Sequence, residues 1–219
     1  MLLLKLLHLL CWVYWLGADV GTFYAARFVA NGRLTAAQRA TAAQIMLGID
    51  LAPRVCMPLT LATGVHLAVL AAGWGLATVT LVAIWAVCLA WLAVALWLHH
   101  KLRSARALVV ARADFIWRGL LAAALTITAA AGLLGSWPAL APWLAFKLLC
   151  FALCVVCGLA IRLHLKGFAT AFGALQQDGA TAAGNAAIAQ GISRCVPYVI
   201  AIWLLLLLSA ATGLHLITF

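Results

Sequence analysis

Three histidines and one lysine stand inside apolar stretches of this sequence: His8, His66, His215 and Lys147. An ionisable side chain is costly to keep in apolar surroundings, so each of the four is a candidate functional residue. A neutral imidazole offers a lone pair without adding charge, which suits a metal ion or the iron of a haem. The residue types therefore indicate a haem or metal site built from His8, His66 and His215, with Lys147 beside it.

The elements that must position these residues are long apolar segments. A soluble domain has about 25% charged residues, whereas this chain of 219 residues has 8% charged and 68% hydrophobic residues. Crossing a bilayer takes about 20 apolar residues, and the segments of that kind are 2–24, 51–72, 77–98, 116–135, 142–163 and 196–218. We predict an all-α, polytopic membrane bundle of six transmembrane helices arranged as hairpins, in one transmembrane domain over 1–219.

The positive charges predict the orientation of this bundle. Two short connections, 72–75 and 135–138, carry no charge, whereas the three longer ones carry nearly all of the arginine and lysine residues. Basic loops remain in the cytoplasm, so we predict a bacterial-type inner (plasma) membrane protein with both termini outside. On this interpretation the net charge of +10 reflects topology and contact with lipid, and it does not indicate nucleic-acid binding.

Two basic connections are also rich in alanine and glutamine, at 35–49 and 169–193. These residues favour helix, so we predict helical extensions or helices that lie on the membrane surface. Such segments could dock a redox partner subunit or a second copy of the chain.

The depth of each candidate residue follows from the orientation. His66 comes eight residues before Trp74, which places it about 12 Å below the outer turn. His8, His215 and Lys147 fall in the same outer half. We predict haem b in this layer, with two of the three histidines as axial ligands and Lys147 as a ligand or near a propionate. Each histidine could instead only hydrogen-bond a neighbouring helix.

Two further sets of polar residues lie deeper. His99, His100 and His164 follow the inner ends of two helices, where they are either solvated or the ligands of a second haem. Asp19 is the only acidic residue within an apolar span, about 16 Å further inward than His8. It could relay protons toward a quinone electron acceptor or a porphyrin, so Asp19 and Lys147 are the candidate catalytic residues. A structural hydrogen bond or a pair with Arg27 is the alternative for Asp19.

The seven cysteines lie in or at the edges of apolar segments, which predicts buried thiols. Cys150, Cys154 and Cys157 share one face of a helix by their spacing, and a continuous helix cannot wrap a metal cluster. Cys56 and Met57 are soft donors for copper(I), but adjacent helical residues diverge by about 100° and do not chelate together.

A weak internal repeat relates the two ends of the chain. Ala-Thr-Gly-Val-His66 and Ala-Thr-Gly-Leu-His215 end the second and the last segment, and each of these segments begins with an arginine, a cysteine and a proline close together. The pattern predicts duplicated hairpins, 1–72 and 142–219, with the hairpin 77–135 inserted between them. Chance similarity between helices rich in alanine and leucine is the alternative.

Several motifs resemble the HemJ/CopD-like membrane proteins, over helices one, two, five and six. The matching stretches are Lys5-Leu6-Leu7-His8 with Trp12, Trp15 and Gly17, then Thr22–Val29, Pro58–Gly64, Trp143–Leu149 and Val196-Pro197. The resemblance implies haem b, and for a HemJ-like protein it implies oxidation of protoporphyrinogen IX with His8 and Lys147 as essential residues. For a CopD-like protein it implies copper handling.

This chain departs from the HemJ pattern by an inserted hairpin and by two additional histidines, His66 and His215. These additions favour a membrane cytochrome of b type that passes electrons between a redox partner and quinone. A HemJ-like porphyrinogen oxidase, a copper-handling protein and a structural anchor subunit are the alternatives. The sequence has no nucleotide-binding loop, Ser/His/Asp arrangement or paired carboxylates, which argues against a hydrolase or an ATP-driven pump.

Overall fold

The computed structural model describes residues 1–101, 105–135 and 140–217. These residues form α-helices and no strand. The helices are α1 (Leu2–Ala30), α2 (Ala36–Ile49), α3 (Leu51–Ala72), α4 (Thr78–Lys101), α5 (Ala105–Leu133), α6 (Pro142–Asp178) and α7 (Ala182–Gly213). Six helices are long and apolar enough to cross a membrane, with α2 and α3 forming one nearly continuous unit. The prediction of an all-α, multi-pass membrane protein is confirmed.

The segments 35–49 and 169–193 are helical, as predicted. The first is α2, and the second is divided between the end of α6 and the start of α7. Thr35 and Gln38 form a capping box at the start of α2, which satisfies two backbone N–H groups that would otherwise lack a partner. Thr181 caps α7 through the N–H of Gly184 at 3.0 Å.

The last helix ends earlier than the predicted boundary at 218. It stops at Gly213, and His215 follows in a turn with a φ of 55°. His215 therefore lies beyond the helix, because the chain has already left the helical path at Leu214. The predicted outer turn at 136–138, including Trp137, lies outside the described residues.

Neighbouring helices pack antiparallel into a closed arrangement. The helix α1 packs against α3 and α7, and further contacts link α3 to α4, α4 to α5, α5 to α6 and α6 to α7. We call the end with the short 72–78 connection the turn end, and the opposite end, with Arg27 and Arg162, the basic end. At the basic end Arg39 is fully buried and links α2 to α1 and α7, through bonds to Val29 O at 2.8 Å and Asn185 Oδ1 at 2.6 Å.

The core is built from residues of α1, α3, α4, α5, α6 and α7. Trp15 is 1% exposed and meets Phe151 of α6 edge-on, with the ring centroids 5.8 Å apart. Small residues such as Ala62 and Cys154 let the helices approach closely around it. Each of the seven cysteines is a free thiol, and all except the half-buried Cys157 are buried, as predicted.

Replacement of Trp15 by alanine should destabilise the bundle strongly. Truncating a buried tryptophan leaves a cavity and costs about 3–5 kcal/mol. Its neighbour Tyr14 is 62% exposed, so Tyr14→Ala is the matched control and should change the thermal midpoint little. Thermal unfolding in detergent, followed by circular dichroism, measures both variants, and equal midpoints would contradict the assignment of Trp15 to the core.

Candidate functional site

His8 is held by one face of α3. Its Nδ1 lies 2.8 Å from Thr63 Oγ1, and the Thr63 hydroxyl donates to Leu59 O at 2.6 Å. Because the hydroxyl has one hydrogen and directs it at Leu59, the imidazole must donate from Nδ1. In the neutral ring this places the lone pair on Nε2. The residues of α3 thus select one tautomer of His8.

Gly64 lets His8 approach α3 closely. A methyl carbon added to Gly64 would lie 3.1 Å from His8 Cε1, which is tighter than an ordinary van der Waals contact. The glycine of the Ala-Thr-Gly-Val-His66 motif therefore makes room for His8.

Lys147 reaches the same end of the bundle from α6. Its Nζ lies against Gly213 of α7, where an added methyl carbon would be only 2.8 Å away. The side chain is partly buried, and none of the described residues accepts a hydrogen bond from it. The structure therefore places His8 and Lys147 at the same end of the bundle, His8 against α3 and Lys147 against α7.

The two Ala-Thr-Gly motifs have the same local geometry. Thr63 and Thr212 are both fully buried, and their hydroxyls donate to Leu59 O at 2.6 Å and Leu208 O at 2.8 Å. In each motif the following glycine receives a candidate side chain from the neighbouring helix, His8 on Gly64 and Lys147 on Gly213. This likeness suits the duplicated hairpins 1–72 and 142–219, which remain a prediction.

The other two predicted ligands face elsewhere. His66 meets Trp85 of α4 edge-on, at 6.1 Å between ring centroids, and its buried Nδ1 has no hydrogen-bond partner among the described residues. His215 is exposed after the end of α7 and lies 5.5 Å from the Trp143 ring. No group of three His, Cys, Asp or Glu side chains in the described chain is arranged to hold a metal ion.

Asp19 forms a structural hydrogen bond, which is one of the roles that the sequence suggested for it. Trp203 Nε1 of α7 donates to Asp19 Oδ2 at 2.9 Å, and Phe23 packs edge-on against the same tryptophan at 5.4 Å. The carboxyl is thereby held between α1 and α7, apart from the His8 and Lys147 pair.

The three inner histidines, His99, His100 and His164, contact different residues. His164 stacks on Tyr198 of α7, with 5.4 Å between the rings and 3.4 Å between Nε2 and the phenol oxygen. His99 and His100 contact each other at 5.4 Å at the end of α4. A second haem between these sets stays a prediction.

Sequence reasoning missed two functional features. Thr63 was visible only as part of a repeated motif, and nothing in the sequence showed that its hydroxyl orients His8. A buried ion cluster at Asp114 and Arg118 was also missed, although their i,i+4 spacing was a readable signal.

At the turn end the chain thus combines an oriented imidazole, an unpaired ammonium and two glycines that permit close approach. This arrangement suits a ligand that takes a nitrogen lone pair and carries negative charge. Comparison with protein-family models, with curated proteins and with solved structures finds no match to this chain.

Proposed function

We propose that this multi-pass membrane protein binds haem b with His8 as an axial ligand, and that it transfers electrons between a redox partner and the quinone pool. The observation that carries the proposal is the His8–Thr63 bond of 2.8 Å. A metal-ligating histidine usually donates its other ring N–H to an acceptor, which fixes the tautomer and orients the ring. Thr63 has this role, and His8 Nε2 is left as the donor atom.

The residues around His8 fit a porphyrin in their chemistry. Gly64 and Gly213 lack a Cβ and so admit the His8 and Lys147 side chains between the helices, and the buried hydroxyl of Thr60 has no partner among the described residues. Lys147 would supply positive charge to a propionate, or a second nitrogen ligand in its neutral form. Haem supplies one-electron chemistry, with a potential set by axial ligation and burial.

We prefer Lys147 to His66 and His215 as the residue that acts beside His8, because the two histidines contact other residues. His66 lies about 110° around α3 from the face that His8 contacts, by its offset from Thr63 and Gly64. A ligand pair of His8 and His66 would therefore require α3 to rotate. His215 lies past the end of α7 and meets Trp143 edge-on.

We also propose how the protein is oriented and in which membrane it lies. The basic end, with Arg27, Arg54 and Arg162, would face the cytoplasm by the positive-inside rule, which puts His8 and both termini in the outer half of a bacterial-type inner membrane. Asp19, between the His8 layer and the basic end, would then be the residue that exchanges protons with a quinone.

The first experiment is a visible spectrum of the protein purified in neutral detergent from cells supplied with haem precursor. We expect a Soret band when oxidised and a b-type α-band after reduction with dithionite, with haem measured as the pyridine haemochrome. Protein without a Soret band under these conditions would overturn the haem proposal, and copper retained through purification would then favour copper handling.

A HemJ-like porphyrinogen oxidase is the second candidate, and the observation that favours it is that His8 and Lys147 lie at one end of the bundle, each against the glycine of an Ala-Thr-Gly motif. Such an enzyme would convert non-fluorescent protoporphyrinogen IX to fluorescent protoporphyrin IX. Membranes containing the protein should then raise fluorescence faster than membranes containing Lys147→Met. Equal rates for both, in protein that retains its haem, would favour electron transfer instead.

A further inference from the structure

A second polar site lies at the basic end, away from His8 and Lys147. Asp114 of α5 is buried, with 1% of its side chain exposed, and it pairs with Arg118 at 3.0 Å and with Arg162 of α6 at 2.7 Å. Arg162 follows Lys147 by about four turns of α6, roughly 22 Å along the axis. This cluster is therefore independent of the proposed haem site.

The cluster has an excess of positive charge. Asp114 pairs with both Arg118 and Arg162. Two arginines thus share one carboxylate, and one positive charge has no counterion among the described residues. Arg118 has 7% of its side chain exposed, and a buried charge is retained only when it is compensated.

Two buried donors in this cluster have no hydrogen-bond partner among the described residues. They are Arg118 Nη2 and Trp91 Nε1, each within a residue that is more than nine-tenths buried. The Arg118 guanidinium lies over the Trp91 ring, 5.2 Å from its centre, so the two side chains pack against each other across the α4–α5 contact. A water molecule could accept from both, but it would leave the positive charge uncompensated.

We propose that Arg118 and Trp91 bind an oxyanion, the phosphate of an anionic phospholipid headgroup. An oxyanion accepts from a guanidinium and an indole together and supplies the missing negative charge. Basic pockets between transmembrane helices are known sites for acidic headgroups. Arg162, with 30% of its side chain exposed, lies at the mouth of the site.

The position of the cluster favours a lipid over a soluble anion. Ile116 and Trp117, the two residues before Arg118, are 62% and 36% exposed on a membrane-spanning helix, so they face acyl chains. The helices α4 and α5 also touch over a shorter stretch than α5 and α6 do. A headgroup that enters from the bilayer would therefore pass between α4 and α5 to reach Arg118.

The test compares thermal midpoints in nanodiscs of phosphatidylcholine with midpoints in nanodiscs where part of it is replaced by phosphatidylglycerol. We expect the acidic lipid to raise the midpoint of the unaltered protein by about 5 °C if the site is well saturated. The gain should shrink in Trp91→Phe, which removes only the indole donor, and should disappear in Arg118→Gln.

Trp74→Phe is the matched control, because Trp74 Nε1 is also buried without a partner but lies at the turn end. It should keep the full gain from phosphatidylglycerol. A gain that persists in Trp91→Phe, or that is missing in the unaltered protein, would overturn the proposal. The same midpoints are also measured in phosphatidylcholine nanodiscs with sodium phosphate added at matched ionic strength. If phosphate alone raises the midpoint, and Trp91→Phe removes that gain, the lipid assignment is overturned and the ligand is a soluble oxyanion.

Discussion

The variant His8→Ala should lose the haem spectrum, with no Soret band and no b-type α-band in protein that still inserts and folds. The tautomer of the His8 imidazole is set by a partner, Thr63, at 2.8 Å. Its removal takes away the donor atom Nε2, and neither Thr63 nor Gly64 can replace it. The measurement is the ratio of pyridine haemochrome to protein, beside a circular dichroism spectrum for helix content.

His66→Ala and His215→Ala are the controls for this prediction. His66 faces Trp85 and His215 faces Trp143, so both variants should keep the α-band. Loss of haem in His66→Ala with full retention in His8→Ala would contradict the site and return the ligand role to His66.

A finer variant tests how His8 is oriented. Thr63→Val keeps the shape of the side chain but removes the acceptor for Nδ1, and loss of such a partner lowers metal affinity by about 10–100-fold. Thr212→Val removes an equally buried hydroxyl from the second Ala-Thr-Gly motif, where no histidine is bound. We expect haem titration to show weaker binding in Thr63→Val, and unchanged affinity in Thr212→Val would exclude a general effect of losing the hydroxyl.

The second large effect concerns stability. Asp114→Asn should lower the thermal midpoint in detergent by about 10 °C, since breaking a buried ion pair costs about 3–5 kcal/mol. The carboxylate is 1% exposed between Arg118 and Arg162, and its neutralisation leaves two guanidinium groups facing each other without a counterion.

Asp50→Asn is the comparison for this effect. Asp50 also pairs with an arginine four residues along the chain, Arg54, but with 27% of its side chain exposed. A partly exposed pair of this kind contributes about 0–1 kcal/mol, so the midpoint should move by no more than a few degrees. Similar midpoints for Asp114→Asn and Asp50→Asn would contradict the assignment of Asp114 to a buried cluster.

The fold class could be predicted from the sequence because it depends on local quantities. Length and hydropathy identify a transmembrane segment without knowledge of its neighbours, and 51–72 was predicted with the bounds of α3. The helical segments 35–49 and 169–193 followed from their alanine and glutamine content. The end of the last helix could not be predicted, because the apolar run continues past Gly213 and only backbone geometry at His215 marks the stop.

The candidate site could be predicted only in part. Residue types identified His8 and Lys147, and the repeated Ala-Thr-Gly motif identified Gly64 and Gly213. Depth in the membrane, however, does not determine which neighbouring helix a side chain faces. His8 and His66 lie in one layer by their position along the helices, yet His66 faces α4 and His8 faces α3.

The sequence by itself determined the class of the protein, six apolar helices in a membrane, and the residue types available for chemistry. Only the tertiary structure decided which of those residues meet. The rotation of each helix about its axis selects the partner of a side chain, and that rotation is set by packing across the whole bundle rather than by local pattern. Packing therefore set His8 against Thr63 and Lys147 against Gly213, held Asp19 against Trp203, and gathered Asp114, Arg118 and Arg162 at the opposite end.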